Sequence, residues 1–400
     1  MNKVLGITAE YDPFHNGHAY MLKRASEIVE KTYGCSSDEV IRIAAISGEF
    51  TQRGEPALTD KWSRAEMAIR QGFDLVAEIP FVFCCNNSGY FAKAGVRILE
   101  SLGADAIAFG SETDNLQTLI NAAQRRNNIT EGQQAVIKKL VKEGKSYPSA
   151  LTEALGESEP FGPNDSLGIE YIRNMKKAAP IPIKRIGADH NSTEENSSIS
   201  SASHIRQELL NGEPLEEVSH LIPYSTFELL KRESEACGFC SPDMLFKMIA
   251  LKAAVSSDEE LNAVYGAEEG LGSKLKDEFR YASGWDDLTQ RLKSKRYTMT
   301  RVQRVLIHIL TGLTKEMVKG ASPYIRILAL NDRGAAHLKS VKKAELSDIP
   351  FMDNIRNDLK EHPEIRSTFE KGIRAADIYN IALGRDLYSY SEYVKNPLKF

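Results

Sequence analysis

Residues 4–18 read VLGITAEYDPFHNGH and join a short apolar run to a polar turn. The run Val4–Ala9 is typical of a buried strand, and a helical pattern begins as the turn ends. Two histidines of the turn, His15 and His18, lie on one face of that helix start. Unpaired backbone N–H groups and the helix dipole attract anions at such a position. The stretch therefore predicts a phosphate site, and a polar strand–helix turn without a ligand is the alternative.

Further apolar runs alternate with helical patterns along the first half of the chain. The predicted strands are Val4–Ala9, Ile41–Ser47, Leu75–Ile79, Ala106–Phe109 and Pro182–Ile186, and the early helices are His18–Lys31, Asp60–Gln71 and Gly89–Leu102. Strands separated by helices of this length predict an α/β fold with a parallel sheet and right-handed crossovers. Ligands of such sheets bind beyond the carboxyl ends of the strands. We expect the histidine turn and residues 47–56, 80–88 and 110–112 to meet there.

Strand patterns fade after residue 213, and helical patterns dominate the rest of the chain. Residues 242–255, 302–313 and 364–383 each predict a helix. The sequence thus predicts a parallel-sheet, Rossmann-like nucleotide-binding domain over residues 1–213 and an α-helical domain over residues 214–400.

Composition narrows the class of protein. The chain has 400 residues, of which 42% are hydrophobic and 26% charged, as in an ordinary globular protein. Five cysteines form an odd, sparse set, which favours a reducing, cytoplasmic compartment over a disulfide framework. Cys237 and Cys240 have half the spacing of a zinc site but no second pair nearby, so we expect no metal site. We also expect no signal peptide and no membrane span.

Residues 199–206 read ISSASHIR and predict the start of another helix. The hydroxyls of Ser200 and Ser201 can cap this helix and direct donors at an anion. Arg206, one turn later, can bind phosphate in a bidentate manner. Serine clusters are also ordinary helix caps. Combined with the histidine turn, however, this motif predicts that one site holds an α-phosphate and the other the departing pyrophosphate.

A basic segment covers residues 288–315, which contain no acidic residue in a chain of net charge −4. Its basic residues are Arg291, Lys293, Lys295, Arg296, Arg301, Arg304 and Lys315. Such a local excess predicts a surface that binds nucleic-acid phosphates, and Tyr297 is a candidate to stack on an unpaired base. A merely solvated charge run is the alternative.

The motifs together resemble a known family. The histidine motif is similar to that of the HxGH nucleotidyltransferase superfamily. The longer set resembles the bacterial tRNA(Met) cytidine acetate ligases along essentially the whole chain. The segments that carry this resemblance are Glu10–His18, Ser47–Ala57, Asp60–Trp62, Phe109–Glu112, Pro163-Asn164 and Lys184–Gly187.

The resemblance implies a two-step reaction. Acetate attacks the α-phosphate of ATP, and the acetyl group of the resulting acetyl-adenylate passes to N4 of the wobble cytidine of elongator tRNA(Met). Magnesium would arrive with ATP. Carried over by motif, the residues that touch ATP would be Thr8, Ala9, Glu10, Tyr11, Asp12, Pro13, Phe14, His15, Asn16, Gly17, His18, Tyr20, Gly110, Asn164, Arg185 and Ile186. His15 and His18 would stabilise the reacting phosphate.

The chain departs from the family pattern at Asp12 and Glu49, where members usually carry Asn. The resemblance implies that each change adds a carboxylate near the triphosphate, whose charge magnesium would offset. Two alternatives stay open. One is an adenylyltransferase for a small phosphorylated metabolite, against which the basic helical part weighs. The other is an RNA-binding protein that retains the fold without catalysis.

Overall fold

The computed structural model describes residues 2–113, 115–157, 160–186, 200–268, 270–294 and 297–400. A seven-stranded sheet has the order β5-β4-β1-β2-β3-β6-β7. Its strands are β1 (Lys3–Ala9), β2 (Val40–Ser47), β3 (Leu75–Ile79), β4 (Ala106–Ser111), β5 (Ala179–Lys184), β6 (Ile327–Leu330) and β7 (Leu398–Lys399). The first five strands pair in parallel, whereas β6 runs antiparallel to β3.

Helices connect and cover these strands. In the first half of the chain they are α1 (Asn16–Tyr33), α2 (Lys61–Arg70), α3 (Phe81–Cys84), α4 (Ser88–Ser101), α5 (Leu116–Asn127), α6 (Glu131–Lys142), α7 (Tyr147–Ala154), α8 (Pro163–Asn174) and α9 (Ala202–Leu210). In the second half they are α10 (Tyr224–Ala236), α11 (Pro242–Val255), α12 (Asp258–Asn262), α13 (Leu271–Glu278), α14 (Trp285–Leu292), α15 (Met299–Thr311), α16 (Lys315–Lys319), α17 (Asp332–Lys343), α18 (Ile355–Glu361) and α19 (Arg366–Ala382).

Two hydrophobic cores lie on opposite faces of the sheet. Every residue of β3 is buried, as are all but one of β2, because a parallel sheet is covered on both faces. One core packs α1, α2 and α10 against the sheet, and the other packs α4, α5 and α8. The central strands β1 and β4 are thereby fixed between two helical layers. The crevice beyond their carboxyl ends is where such sheets bind ligands.

A third core belongs mainly to the helices of the second half, α11, α13–α15 and α19. Phe50, which follows β2, and Phe81, in α3, are part of it. The helical part therefore packs directly against loops at the carboxyl edge of the sheet. Among the helices that the structure describes, none is long and apolar enough to cross a membrane.

The α/β class and the parallel sheet are confirmed, with two differences in detail. β5 begins at Ala179 and not at Pro182, since an edge strand needs backbone donors on one side only and tolerates Pro180 and Pro182. β6 and β7 were not predicted. Both lie beyond residue 213 and extend the same sheet, so the division at residue 213 stays a prediction.

Candidate active site

The two histidines of the opening motif form the N-terminus of α1. His15 occupies the N-cap position, and its Nδ1 accepts a hydrogen bond from the backbone N–H of Gly17 at 3.0 Å. His18 Nδ1 accepts from the backbone N–H of His15 at 3.2 Å, and the two rings stack with centroids 3.8 Å apart. A backbone N–H can only donate, so each Nδ1 is unprotonated. The proton of each neutral ring therefore resides on Nε2.

Burial keeps both rings neutral. Burial, together with the smaller effect of the nearby Arg185 charge, lowers the pKa of His15 to about 4. Burial also lowers the pKa of His18 well below its usual range, with His15 and Arg185 acting in the same direction. The site therefore presents two neutral Nε2–H donors beside a helix N-terminus, a set suited to phosphoryl oxygens.

The aromatic residues of the motif hold these rings in place. Tyr11 is 2% exposed and Phe14 is fully buried, and their ring centroids lie 4.9 and 5.3 Å from that of His18. Their side chains are thus part of the core, and almost none of either residue is open to a nucleotide contact. Thr8 and Pro13 are also buried, whereas Ala9, Gly17 and Tyr20 are half-buried. Asn16 donates from Nδ2 to the backbone oxygen of His220 at 3.0 Å.

A second group of predicted residues meets at the ends of β4 and β5. A Cβ on Gly110 would lie 3.5 Å from Arg185 Cγ, and Arg185 Nη1 donates to Asn164 Oδ1 at 3.3 Å. Ile186 follows directly at the end of the described range 160–186. The charge of Arg185 acts on both histidines. The two groups therefore belong to one site at the switch point of the sheet between β1 and β4.

Glu112 supports this second group and was not among the predicted site residues. Its carboxylate accepts hydrogen bonds from the backbone N–H groups of Asn164, at 3.0 Å, and Asp165, at 2.6 Å. These bonds and one from the Asn164 side chain lower the pKa of Glu112 against the opposing effect of burial. A carboxylate at the first turn of α8 is stabilised by the helix dipole. In the sequence, its position one residue after β4 could have indicated that Glu112 lies at the site.

The serine–arginine motif reaches the histidine turn through Arg206. Ser201 caps α9 by accepting from the backbone N–H of His204 at 3.2 Å, while Ser200 is half-buried just before it. Arg206 Nη1 donates to the backbone oxygen of Asp12 at 2.8 Å and lies 3.4 Å from Asp12 Oδ2. Its Nη2 lies 3.3 Å from Glu55 Oε2. Two carboxylates therefore already share the guanidinium predicted to bind pyrophosphate.

The two departures from the family pattern have different surroundings. Asp12 is 1% exposed; its Oδ1 accepts from the backbone N–H of Leu58 at 2.7 Å, and its Oδ2 has no hydrogen-bond donor in the described part of the chain. Glu49 is 4% exposed and lies 3.6 Å from the Lys61 ammonium, and its burial raises its pKa to about 7. The expectation that Glu49 places a carboxylate near the triphosphate is therefore corrected, because the protein encloses this side chain. Asp12 alone lies in the motif itself.

A buried ionic cluster surrounds Lys61. Its Nζ lies 2.7 Å from both Glu78 and Glu392, and Glu392 also pairs with Arg326 at 2.5 Å. The two cations lower the pKa of Glu392 to about 2, although burial opposes this. The cluster joins the C-terminal segment to α2, β3 and the residue before β6. It stabilises the edge of the sheet and offers no open face to a ligand.

The loop of residues 48–56 links the nucleotide side to α15. Gly54 has a φ of +85°, and a Cβ there would lie 2.3 Å from the backbone nitrogen of Arg304. Arg304 Nη1 donates to the Gln52 backbone oxygen at 3.3 Å, and Gln303 donates to Glu55 at 3.0 Å. Glu55 in turn pairs with Arg206 as described above. The sequence predicts that residues 47–56 lie at this edge of the sheet, but the contact of the loop with α15 is a tertiary feature.

The predicted tRNA-binding residues differ in their surroundings. Arg291 pairs with Asp287 at 2.9 Å and with Glu278 at 3.5 Å, so neighbouring carboxylates reduce its local charge. Tyr297 is 7% exposed with the Arg301 guanidinium 4.9 Å from its ring centre. Burial of this ring contradicts the expectation that it stacks on a base. Lys293 is exposed. Two other predicted residues, Lys295 and Arg296, lie outside the described residues.

Within the described ranges, no group of three His, Cys, Asp or Glu side chains is arranged to hold a metal ion. Cys237 contacts the Arg385 guanidinium, with Sγ 3.1 Å from Nη2, and Cys240 is fully buried.

Comparisons with known proteins show the family. Residues 1–392 match the family described as HIGH nucleotidyl transferase. A tRNA(Met) cytidine acetate ligase of Caldicellulosiruptor saccharolyticus is 35% identical, with 98% of this chain and 96% of that protein aligned. Another, of Lysinibacillus sphaericus, is 32% identical over 99% of this chain and 100% of that protein.

Solved structures are similar over the full length. The crystal structure of Thermotoga maritima TmcAL bound with alpha-thio ATP has a TM-score of 0.87 at 27% identity and covers 100% of both chains. The apo crystal structure of the same protein has a TM-score of 0.88 at 28% identity, covering 100% of this chain and 99% of that one. The chain belongs to the HIGH nucleotidyl transferase family and, within it, to the tRNA(Met) cytidine acetate ligases.

Proposed function

We propose that this protein is an ATP-dependent ligase that acetylates N4 of the wobble cytidine of elongator tRNA(Met). The observation that carries the proposal is the pair of neutral Nε2–H donors of His15 and His18 at the N-terminus of α1. Relatives named tRNA(Met) cytidine acetate ligase, similar along the whole chain, support the choice of acetate and tRNA as substrates. Such substrates are those of a cytoplasmic enzyme.

In the first step, an acetate oxygen attacks the α-phosphorus of ATP and the bond to the β-phosphate oxygen breaks. Pyrophosphate leaves with the bonding electron pair, and acetyl-adenylate remains. Negative charge increases on the α-phosphoryl oxygens in the transition state, so the hydrogen bonds from His15 and His18 strengthen there. The histidines need not transfer a proton, because positioning and charge stabilisation suffice for this chemistry.

The remaining predicted residues divide between the two ends of ATP. Gly110, Asn164, Arg185 and Ile186 would hold the adenosine side, beyond β4 and β5. Ser200, Ser201 and Arg206 would hold the β- and γ-phosphates, as a helix start and a guanidinium can. Magnesium would enter bound to the triphosphate and offset its charge against Asp12.

The helical part would bind the tRNA. Lys293 and its basic neighbours in residues 288–315 are the candidate contacts to phosphates. Loop 48–56 connects this segment to the histidine turn, so an RNA bound at α15 would present its base to the nucleotide site. In this proposal residues 1–213 activate acetate and residues 214–400 bind the acceptor.

One experiment tests the function. The protein is incubated with ATP, magnesium, acetate and unmodified elongator tRNA(Met), and the nucleosides are analysed by mass spectrometry while pyrophosphate is measured in parallel. We expect N4-acetylcytidine and acetate-dependent pyrophosphate release. Folded protein that yields no acetylcytidine would contradict the proposal. Pyrophosphate release that requires a phosphorylated metabolite would point to an adenylyltransferase, and tRNA binding without release to an RNA-binding protein.

A further inference from the structure

Transfer of the acetyl group to an amine requires a proton acceptor. The amine nitrogen that attacks acetyl-adenylate must lose a proton as the amide forms. A base within hydrogen-bond reach of that proton accelerates such a step. The histidines do not qualify, because each Nδ1 already accepts a backbone N–H and each Nε2 carries a proton.

Most carboxylates at this edge of the sheet are also engaged. Asp12 accepts from Leu58 and lies against Arg206. Glu55 is shared by Arg206 and Gln303. Glu112 accepts from two backbone N–H groups and the Asn164 side chain. Proton transfer to any of them would break an ion pair or a helix cap.

Glu10 is different. It directly follows β1, is half-buried, and accepts one hydrogen bond, from the backbone N–H of Gln52 to Oε1 at 2.7 Å. Within the part of the chain that the structure describes, no group donates a hydrogen bond to its Oε2. One carboxylate oxygen is therefore anchored and the other is available.

The position of Glu10 fits an acceptor of this proton. It precedes the histidine turn that would hold the acetyl-adenylate, and it is anchored to Gln52 in loop 48–56. The backbone oxygen of that same Gln52 accepts from Arg304 near the middle of α15. Glu10 thus lies at the junction between the phosphate site and the helix that belongs to the basic segment, where an activated acetyl group and an incoming base would meet.

We propose that Glu10 is the general base of acetyl transfer. The N4 lone pair attacks the acetyl carbonyl carbon, and the N–C bond forms. The N4 proton moves to Glu10 Oε2, the bond from the acetyl carbon to the adenylate oxygen breaks, and AMP leaves with the electron pair. Glu10 then returns the proton to water. This inference rests on the function proposed above.

The surroundings of Glu10 agree with this role. Burial raises the pKa of Glu10, as does the charge of Asp12, while the Gln52 hydrogen bond and the cations Arg206 and Arg53 lower it. A carboxyl group with a raised pKa is a better base near neutral pH. The charge of Glu10 also acts on the Cys84 and Cys85 thiols and on the Tyr171 hydroxyl, whose pKa values are raised chiefly by burial, so these groups stay protonated.

The test is Glu10→Gln, an isosteric change whose amide oxygen still accepts from Gln52. Two rates are measured: acetate-dependent ATP–pyrophosphate exchange, and single-turnover acetyl transfer to tRNA between pH 6 and 9. We expect transfer to slow by roughly 10²–10⁴-fold and exchange to slow by a much smaller factor, because Glu10 is also one of the residues expected to touch ATP. Any rise of the transfer rate with pH that arises from ionisation of Glu10 should also disappear. Glu213→Gln, an exposed carboxylate after α9, is the matched control and should change neither rate.

Other outcomes overturn the inference. Unchanged transfer, or transfer that keeps its dependence on pH, removes Glu10 from the step. An equal loss of exchange and transfer makes Glu10 part of the first reaction only. If Glu10→Gln does not fold, Glu10→Asp replaces it. In Glu10→Asp the carboxylate is set back by one methylene group, so transfer should be slower but should keep any rise with pH. Equal transfer rates for Glu10→Asp and the wild type would overturn the proposed role of Glu10. Wild-type protein that exchanges pyrophosphate but forms no acetylcytidine refutes the proposed function itself.

Discussion

Asp12→Asn tests how the phosphate site uses Arg206. The Arg206 guanidinium is shared between Asp12 and Glu55, so a triphosphate that binds it must compete with both carboxylates. Two unit charges at the 3.4 Å between Asp12 and Arg206 attract by roughly 5 kcal/mol at an effective dielectric constant of about 20. Loss of hydration when both groups are buried offsets much of that attraction.

The expected gain in ATP affinity is a fraction of this value. Glu55 remains paired with Arg206 in the variant, and the triphosphate replaces the Asp12–Arg206 attraction only in part. We expect Asp12→Asn to strengthen ATP binding by about 1.4 kcal/mol, which is a tenfold lower Kd. The fold should persist, because the Asn Oδ1 can still accept from the Leu58 backbone N–H. The unfolding free energy should fall by about 1 kcal/mol or less, the usual contribution of one such interaction.

Titration calorimetry with magnesium and a non-cleavable ATP analogue, at fixed ionic strength, measures the effect. A double-mutant cycle with Arg206→Gln supplies the control. In that background Asp12→Asn should change Kd by less than about twofold, since the freed guanidinium is absent. The reasoning is refuted if Asp12→Asn leaves Kd unchanged or raises it while thermal unfolding shows a native protein. It is equally refuted if the gain persists without Arg206.

The other predictions concern catalysis, RNA binding and stability. His18→Ala should slow acetyl-adenylate formation by at least 10²-fold, because one transition-state donor is lost, while tRNA affinity in a filter-binding assay stays nearly intact; a parallel loss of both would contradict the assigned role. Lys293→Glu should weaken tRNA binding and reduce its salt dependence by about one unit of log–log slope, whereas Lys142→Glu on the exposed side of α6 should not. His15 has a folded pKa of about 4 against 6.5 in the unfolded chain, so the unfolded state binds the extra proton and stability falls as pH drops from 6.5 to 4. The expected loss from this residue is about 3 kcal/mol in urea titrations, and a flat profile would refute it. Glu392→Gln leaves Lys61 and Arg326 with an uncompensated buried charge and should lower the unfolding free energy by roughly 3 kcal/mol, which a change below about 1 kcal/mol would exclude.

The central strands and the first helices were predictable from the sequence because their pattern is set locally. β1, β2 and β3 are continuous apolar runs, as expected for strands buried on both faces. β6 was missed because four buried residues, Ile327–Leu330, amid helical patterns carry no periodicity that separates a strand from a helix. It is a strand because β3 offers it an edge to pair with.

In the candidate site, too, some features follow from the local sequence and others from tertiary packing. The spacing of His15 and His18 and the helix start at Asn16 place two imidazoles on one face, so the sequence determined this candidate phosphate-binding turn. Tyr297 could not be placed in this way, since the neighbours that bury its ring come from tertiary packing. Similarly, the positive charge of Arg291 in the sequence is reduced by carboxylates that only the fold brings close.

Local pattern determined which elements form and which backbone N–H groups begin α1, because these depend on residues a few positions apart. Tertiary structure alone decided the ionic states of the site. The neutral rings, the Arg206 guanidinium shared by Asp12 and Glu55, and the single anchor of Glu10 arise from contacts between residues tens to hundreds of positions apart. The physical reason is that charge and pKa depend on burial and on neighbours in space, which chain order does not specify.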